Sequence, residues 1–265
     1  MKKIIFSLGF LLFIIACNND PDKPYTVDPG NNAPKSISYS VLNTYPHDTS
    51  YFTEGLLIYK GDLYESTGDY GRSHLVKTDL KTGKTIRSID LDKKYFGEGI
   101  VIINDTVYQL TYQEKVGIMY SLKDFSKIGE FSFASDEGWG MTTDGKNIIA
   151  TDGSSNLYYY APSTFKFLKK QGVTEAGSPA FNLNELEYID GYIYANQWQY
   201  PYILKIDPAD GKVVGKIDLS QITNNIKSKY PHADYLNGIA YDSASKKMYI
   251  TGKRWPELYE IQLSQ

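Results

Sequence analysis

Residues 54–68 read EGLLIYKGDLYESTG, and residues 98–112 read EGIVIINDTVYQLTY. Both follow one template. A Glu-Gly pair opens a short apolar run, a turn follows, and a second apolar run carries a tyrosine. Strand-length apolar runs bounded by turn residues read as a β-hairpin. The template returns as WGMTTDGKNIIATDG from Trp139, ELEYIDGYIYANQW from Glu185 and NGIAYDSASKKMYITGK from Asn237. Its second position falls at Gly55, Gly99, Gly140, Leu186 and Gly238, in steps of 44, 41, 46 and 52 residues. A period of about 45 residues made of strand-sized pieces is the signature of propeller blades.

The second half of each repeat agrees. HLVKTDLKTGKTIRSIDL (74–91) is again strand, turn, strand, and YILKIDPADGKVVGKIDL (202–219) repeats it closely. The turns around Gly83 and Gly211 have hairpin chemistry, because glycine accepts positive φ. Each repeat therefore holds four strands, and the expectation is an all-β, five-bladed β-propeller. The fifth repeat stops after LYEIQL (258–263), one strand short, while SISYSVLNTYP (36–46) is a spare strand before the first repeat. Pairing the spare strand with the last blade closes the ring and removes two exposed edges. A sixth blade has no room in roughly 230 residues.

The N-terminus reads differently. Lys2 and Lys3 precede an apolar run at 4–16, too short to span a bilayer and ordered like a secretory signal. It ends Ile14-Ile15-Ala16-Cys17, which resembles the lipobox of bacterial lipoproteins. The expectation is a lipoprotein signal peptide at 1–16 and lipidation at Cys17, placing the chain in the bacterial cell envelope, anchored to the membrane after export. Cys17 is the only cysteine, so no intrachain disulfide forms. Residues 17–35, rich in Pro, Asn and Asp, read as a flexible tether, and 36–265 as the propeller. The net charge is −3 without a basic block, which argues against nucleic acid. A closed propeller needs no partner chain, so a monomer is expected.

In a propeller the starts of the first strands and the ends of the second strands meet at one mouth of the central channel. The first set is Glu54, Glu98, Trp139, Glu185 and Asn237; the second is Gly68, Tyr112, Gly153, Trp198 and Lys253. Three carboxylates, a lysine and several aromatics thus gather in a constricted channel, where pKa values are expected to shift. A glutamate at a repeat position can instead be structural, tying blades together through backbone N–H groups, and the tryptophans can be core. The three histidines lack metal-ligand spacing, and no G-x-S-x-G elbow occurs. The channel carboxylates leave a structural Ca²⁺ or Mg²⁺ open.

Six motifs run in order through 45–261: YPHDTSYFTEGLL, YESTGDYGRS, YFGEGI, GWGMTTDG, LNELEYIDGYIYANQW and ITGKRWPELYEI. Together they resemble the plant-type (papaya-like) glutaminyl-peptide cyclotransferase family, also found in bacteria. The resemblance implies a five-bladed propeller that converts N-terminal glutamine of peptides or proteins to pyroglutamate with release of ammonia and requires no cofactor. It implies catalytic roles for Glu98, Asn184 and Lys253, and substrate contacts from Phe52, Trp139 and Trp198. Glu54 stands where the family often has Gln, and Tyr112 where it often has Trp; with Glu185 at the mouth, these complete the expected substrate-binding set. Two other readings stay open: a non-catalytic propeller that binds peptide or glycan, and a metal-dependent propeller hydrolase such as a lactonase.

Overall fold

The computed structural model describes residues 33–264. The expected signal peptide, Cys17 and most of the expected tether lie outside the described residues. Five antiparallel sheets make the blades. Blade one holds Thr53–Tyr59, Asp62–Thr67, His74–Thr78 and Thr85–Asp90; blade two holds Gly97–Ile103, Thr106–Thr111, Val116–Ser121 and Lys127–Ser132. Blade three holds Met141–Thr143, Ile148–Ala150, Asn156–Tyr160 and Phe167–Gly172; blade four holds Leu183–Ile189, Tyr192–Gln197, Tyr202–Ile206 and Val213–Asp218. Blade five holds Leu236–Asp242, Lys247–Gly252 and Glu257–Leu263, and Tyr39–Pro46 supplies its outer strand. The inner strand of each blade touches the next, and that of blade five touches blade one, so the ring is closed.

The apolar core is divided five ways. Each cluster is wedged between two neighbouring blades, as Leu56 and Leu63 of blade one meet Ala240, Tyr249 and Leu258 of blade five. No blade is buried on both faces without its neighbours, so removing this apolar surface from water drives ring formation.

The closing strand behaves as expected with one refinement. Tyr39 pairs with Leu263 and Pro46 with Glu257 in antiparallel register. Asn43 and the Tyr45 hydroxyl both donate to Glu260, at 3.1 and 2.6 Å. Lys35–Ser36, however, pair in parallel with Gly215 and Lys216 of blade four, where 36 was expected on blade five. The chain thus crosses the junction between the two blades. Gly215 leaves room for this, since a Cβ there would meet Ile37 at 2.5 Å.

Two features depart from the repeat reading. The long step between repeats four and five contains a helix, Ser220–Lys229, where only strands were expected. Ile222 and Ile226, four residues apart, are its buried stripe, and Lys227 and Lys229 sit in its last turn, where cations complement the helix dipole. The second departure is one of register in blade four. Strand pairing sets Leu56 opposite Glu65, Ile100 opposite Gln109 and Leu186 opposite Ala195. Leu186 therefore matches Leu56 and Ile100, not the glycines. The residue at the glycine position is Glu185, and Asn184 takes the place of Glu54 and Glu98.

This one-residue shift follows from crowding at the axis. Inner strands come so close that a Cβ at Gly99 would lie 2.5 Å from Met141 N, and one at Gly140 would lie 2.0 Å from Asn184 O. Four blades use glycine there, and the space they leave takes one side chain. Glu185 fills it and accepts the backbone N–H groups of Leu56 at 3.3 Å and Ile239 at 2.8 Å. Two residues on, half-buried Glu187 accepts Tyr241 N–H at 3.0 Å. Burial pushes the Glu185 carboxyl well above the usual carboxylate range, with the Glu187 charge adding to it. Burial also pushes Glu187 up to about 8 against its hydrogen bonds.

Gly140→Ala is expected to lower the unfolding free energy by about 2–4 kcal/mol in urea titration, because backbone rather than a flexible side chain must move. A second expectation concerns pH. The raised Glu187 carboxyl keeps a proton in the folded chain that the unfolded chain releases above about pH 4.3. Its stabilising contribution is full below that pH and is lost as pH rises towards about 8. The thermal midpoint should fall across that window, and Glu187→Gln should make the fall shallower.

Candidate active site

Three inner strands begin with the same spacing: Phe52-Thr-Glu54-Gly, Phe96-Gly-Glu98-Gly and Tyr235-Leu-Asn237-Gly. In a strand, residues two apart share a face. The aromatic therefore stands at the mouth above the polar residue that enters the channel. The second strands return to the same mouth and end in glycine or in a functional side chain. Gly68 makes room for Phe96, which a Cβ would approach to 2.3 Å, and Gly153 makes room for Trp139 at 2.6 Å. Where no neighbouring ring needs the space, Tyr112, Trp198 and Lys253 occupy the equivalent positions.

The result is a cavity of about 220 Å³ at the axis. Its wall is a belt of half-buried rings drawn from all five blades. Phe52 meets Phe96 edge-on at 6.1 Å, Phe96 tilts against Tyr112 at 5.8 Å, Trp139 meets Trp198 edge-on at 5.4 Å, and Trp198 meets Tyr235 at 6.1 Å. Such tilted contacts fix ring orientation. Glu54, Glu98, Asn184 and Lys253 form the polar floor, all of them 5 % exposed or less.

The two floor carboxylates are not equivalent. Glu54 is committed on both oxygens: Lys253 Nζ donates to Oε1 at 2.7 Å, and Asn237 Nδ2 donates to Oε2 at 3.1 Å. The same Asn237 nitrogen reaches Thr53 O at 2.9 Å, so the arrangement is tied to the backbone. Lys253 also lies 4.5 Å from the centre of the Phe52 ring, a cation–π distance. Glu98, by contrast, has a buried Oε2 with no partner, and Asn184 Oδ1 is likewise unpaired. Buried polar atoms are nearly always satisfied, so these two point to a ligand.

Electrostatics sharpen the difference. Burial pushes Glu54 up to about 7, although the Lys253 charge pulls the other way. Burial and then the Glu54 charge push Glu98 well above the usual carboxylate range, with Lys253 opposing and Glu137 and Glu114 adding. A carboxyl whose proton affinity is raised above the ordinary range, in a water-poor cavity, is suited to proton transfer. The Lys253 ammonium and the Asn184 amide are the hydrogen-bond donors available to a developing negative charge.

Most of the residues expected from the sequence converge here: Phe52, Glu54, Glu98, Tyr112, Trp139, Asn184, Trp198 and Lys253 all line the cavity. Glu185 does not. Its carboxylate lies deeper in the channel and is held by backbone N–H groups, the structural role that a repeat glutamate can take. Phe96, Asp234 and Tyr235 line the cavity without having been singled out. The two-residue offset of Phe96 and Tyr235 from Glu98 and Asn237 was the available signal. Asp234 had none, because it lies in an irregular loop. Among the described residues, no three His, Cys, Asp or Glu side chains converge in a way that could hold a metal ion.

The family model described as "Glutamine cyclotransferase" matches residues 11–263. A "Glutaminyl-peptide cyclotransferase" of Arabidopsis thaliana is 42% identical over 227 residues, covering 85% of this chain and 71% of that protein. The crystal structure of Myxococcus xanthus glutaminyl cyclase superposes with a TM-score of 0.81 at 32% identity, covering 87% of this chain and 98% of the other. The six motifs, the five-bladed ring and the match over nearly the whole chain agree: this protein belongs to the glutamine cyclotransferase family.

Proposed function

We propose that the chain is a glutaminyl-peptide cyclotransferase, converting the N-terminal glutamine of peptides or proteins to pyroglutamate and releasing ammonia. The observation that carries this reading is the division of labour between two buried carboxylates. Glu54 is committed to Lys253 and Asn237, while Glu98 is left without a partner in a cavity sized for one terminal residue. Family membership and the two relatives support the same activity.

The reaction joins the α-nitrogen to the side-chain carboxamide carbon and breaks the bond from that carbon to its amide nitrogen. The ring is five-membered, so much of the proximity is built into the substrate. Three tasks remain for the protein. The α-amine, with a pKa of about 7.7–8.0, must shed a proton. The carbonyl oxygen must be stabilised as it gains charge. The departing nitrogen must receive a proton.

Glu98 performs the first and third tasks. Burial raises its affinity for protons, so transfer from the amine is less uphill than to an ordinary carboxylate. It takes the proton from the attacking nitrogen and returns it to the leaving one. Lys253, anchored by Glu54, and the Asn184 amide face the oxygen and hold its charge. Trp139, Trp198 and Phe52 enclose the aliphatic stem and exclude water, which strengthens these interactions. No step requires a metal or an organic cofactor.

The proposal extends to where the enzyme works. Cleavage of 1–16 and lipidation of Cys17 would leave the propeller on a tether of about 20 residues in the cell envelope. The order of charge, apolar run and Cys in the sequence supports this. Metabolic labelling with a fatty-acid analogue, lost in Cys17→Ser, tests it.

Incubation of the full-length chain with a Gln-initiated peptide should produce a loss of about 17 Da by mass spectrometry, the mass of ammonia, with or without EDTA. Glu98→Gln should lower kcat at least about 100-fold while thermal unfolding stays cooperative. Full activity in a folded Glu98→Gln would sink the assignment of Glu98, and a 17 Da loss abolished by EDTA would show that the cyclisation needs a metal. A second expectation concerns Glu54→Gln. Removing the Glu54 charge leaves Lys253 unpaired, and both changes lower the pKa of Glu98. The limb of the kcat/KM profile that Glu98 carries should therefore move to lower pH, while the limb of the substrate amine stays near 7.7–8.0.

A further inference from the structure

The rim of the cavity is acidic, and Asp234 lines it on the side of blade five. On the blade-two side, Glu114 and Glu137 stand near Tyr112, and both add to the negative field at Glu98. Tyr70, reaching over from blade one, donates to Glu114 Oε1 at 2.9 Å, and the other oxygen of Glu114 has no partner. Glu137 accepts Trp139 Nε1 and Gln113 Nε2, each at 2.9 Å. These donors are all uncharged. The nearby cations are spent elsewhere: Arg254 pairs with Asp69, Lys115 with Asp136 and Lys253 with Glu54. Among the described residues, neither Glu114 nor Glu137 forms an ion pair. Their hydrogen bonds fix them in place, so little side-chain entropy is lost when a cation arrives.

We propose that Glu114 and Glu137 select peptides that carry lysine or arginine directly after the N-terminal glutamine. This rests on the cyclotransferase reading of the site. The α-amine has to reach Glu98, a residue of blade two buried to 5 % exposure on the cavity floor. The α-carbon that bears this amine also bears the carbonyl leading to the second residue. That residue therefore starts one chain step, about 3.5 Å, from the amine and emerges at the rim beside blade two. A basic side chain there meets two carboxylates held by neutral donors, while an acidic one meets only repulsion. Unpartnered Glu98 Oε2 and Asn184 Oδ1 mark the cavity below the rim as the place where the glutamine itself sits. Rim charges of this kind act on encounter as well as on affinity.

The test compares kcat/KM of the full-length chain for three peptides that differ only in the second residue, Gln-Lys, Gln-Ala and Gln-Glu. The expected order is Lys, Ala, Glu, with about five- to twentyfold between the ends. The spread should shrink in about 1 M NaCl and collapse in Glu114→Gln, and Glu114→Lys should invert the order. Equal rates for all three peptides overturn the proposal and leave the cyclotransferase reading standing. A preference that survives both Glu114→Gln and Glu137→Gln, or one untouched by salt, also overturns it. Failure of the wild-type chain to cyclise any of the three removes both. If the rim variants do not fold, salt dependence in the wild type decides.

Discussion

Five inner strands converge on one axis, and the volume there dictates what the rest of the molecule can do. Backbone meets backbone at the glycine position, so four blades forgo a side chain. The one side chain that fits, Glu185, answers backbone N–H groups from blades one and five. It sits one residue deeper along the axis than the residues that line the cavity. The cavity's polar floor is made by residues one step earlier on the inner strands, Glu54, Glu98 and Asn184, together with Lys253.

The same convergence sets the electrostatics. Two glutamates and a lysine are brought together with little water around them. In such surroundings a charge persists only when it is paired and hydrogen-bonded. Glu54 meets that condition through Lys253 and Asn237. Glu98 does not, so burial and the Glu54 charge push its carboxyl well above the usual carboxylate range. A proton-transfer group with a raised proton affinity and a free oxygen thus arises from the inequality of two otherwise similar residues. The aromatic belt maintains this by limiting solvent access, and glycines at 68 and 153 make room for the rings of Phe96 and Trp139.

Much of this was legible in the repeat. Strand-length runs at a period of about 45 residues, hairpin turns with glycine and an unpaired strand at each end imply a closed ring of five blades. The mouth residues of blades one, two, three and five follow from counting. Blade four resisted counting because its sequence offers ELEY where the others offer a glycine, and a match on Glu placed Glu185 one position too early in the template. A one-residue slip exchanges the faces of a strand, and here it exchanged a structural glutamate for a substrate contact. The family motif LNELEY pointed to Asn184 independently, and the pairing of Leu186 with Ala195 agrees with it. The helix at Ser220–Lys229 was hidden inside an overlong step, its two isoleucines too sparse to mark a period among polar neighbours.

The sequence by itself determined the all-β class, the number of blades, the closing strand and most of the residues at the mouth. These depend on alternation, turn chemistry and spacing along the chain, which are local. Only the tertiary structure decided which glutamate is free, which is paired and which is structural. Those distinctions depend on the partners each carboxylate meets: Lys253 lies 199 residues from Glu54, and Ile239 lies 54 residues from Glu185. Closing the ring brings them together, and the low dielectric of the shared axis turns differences in pairing into differences in proton affinity.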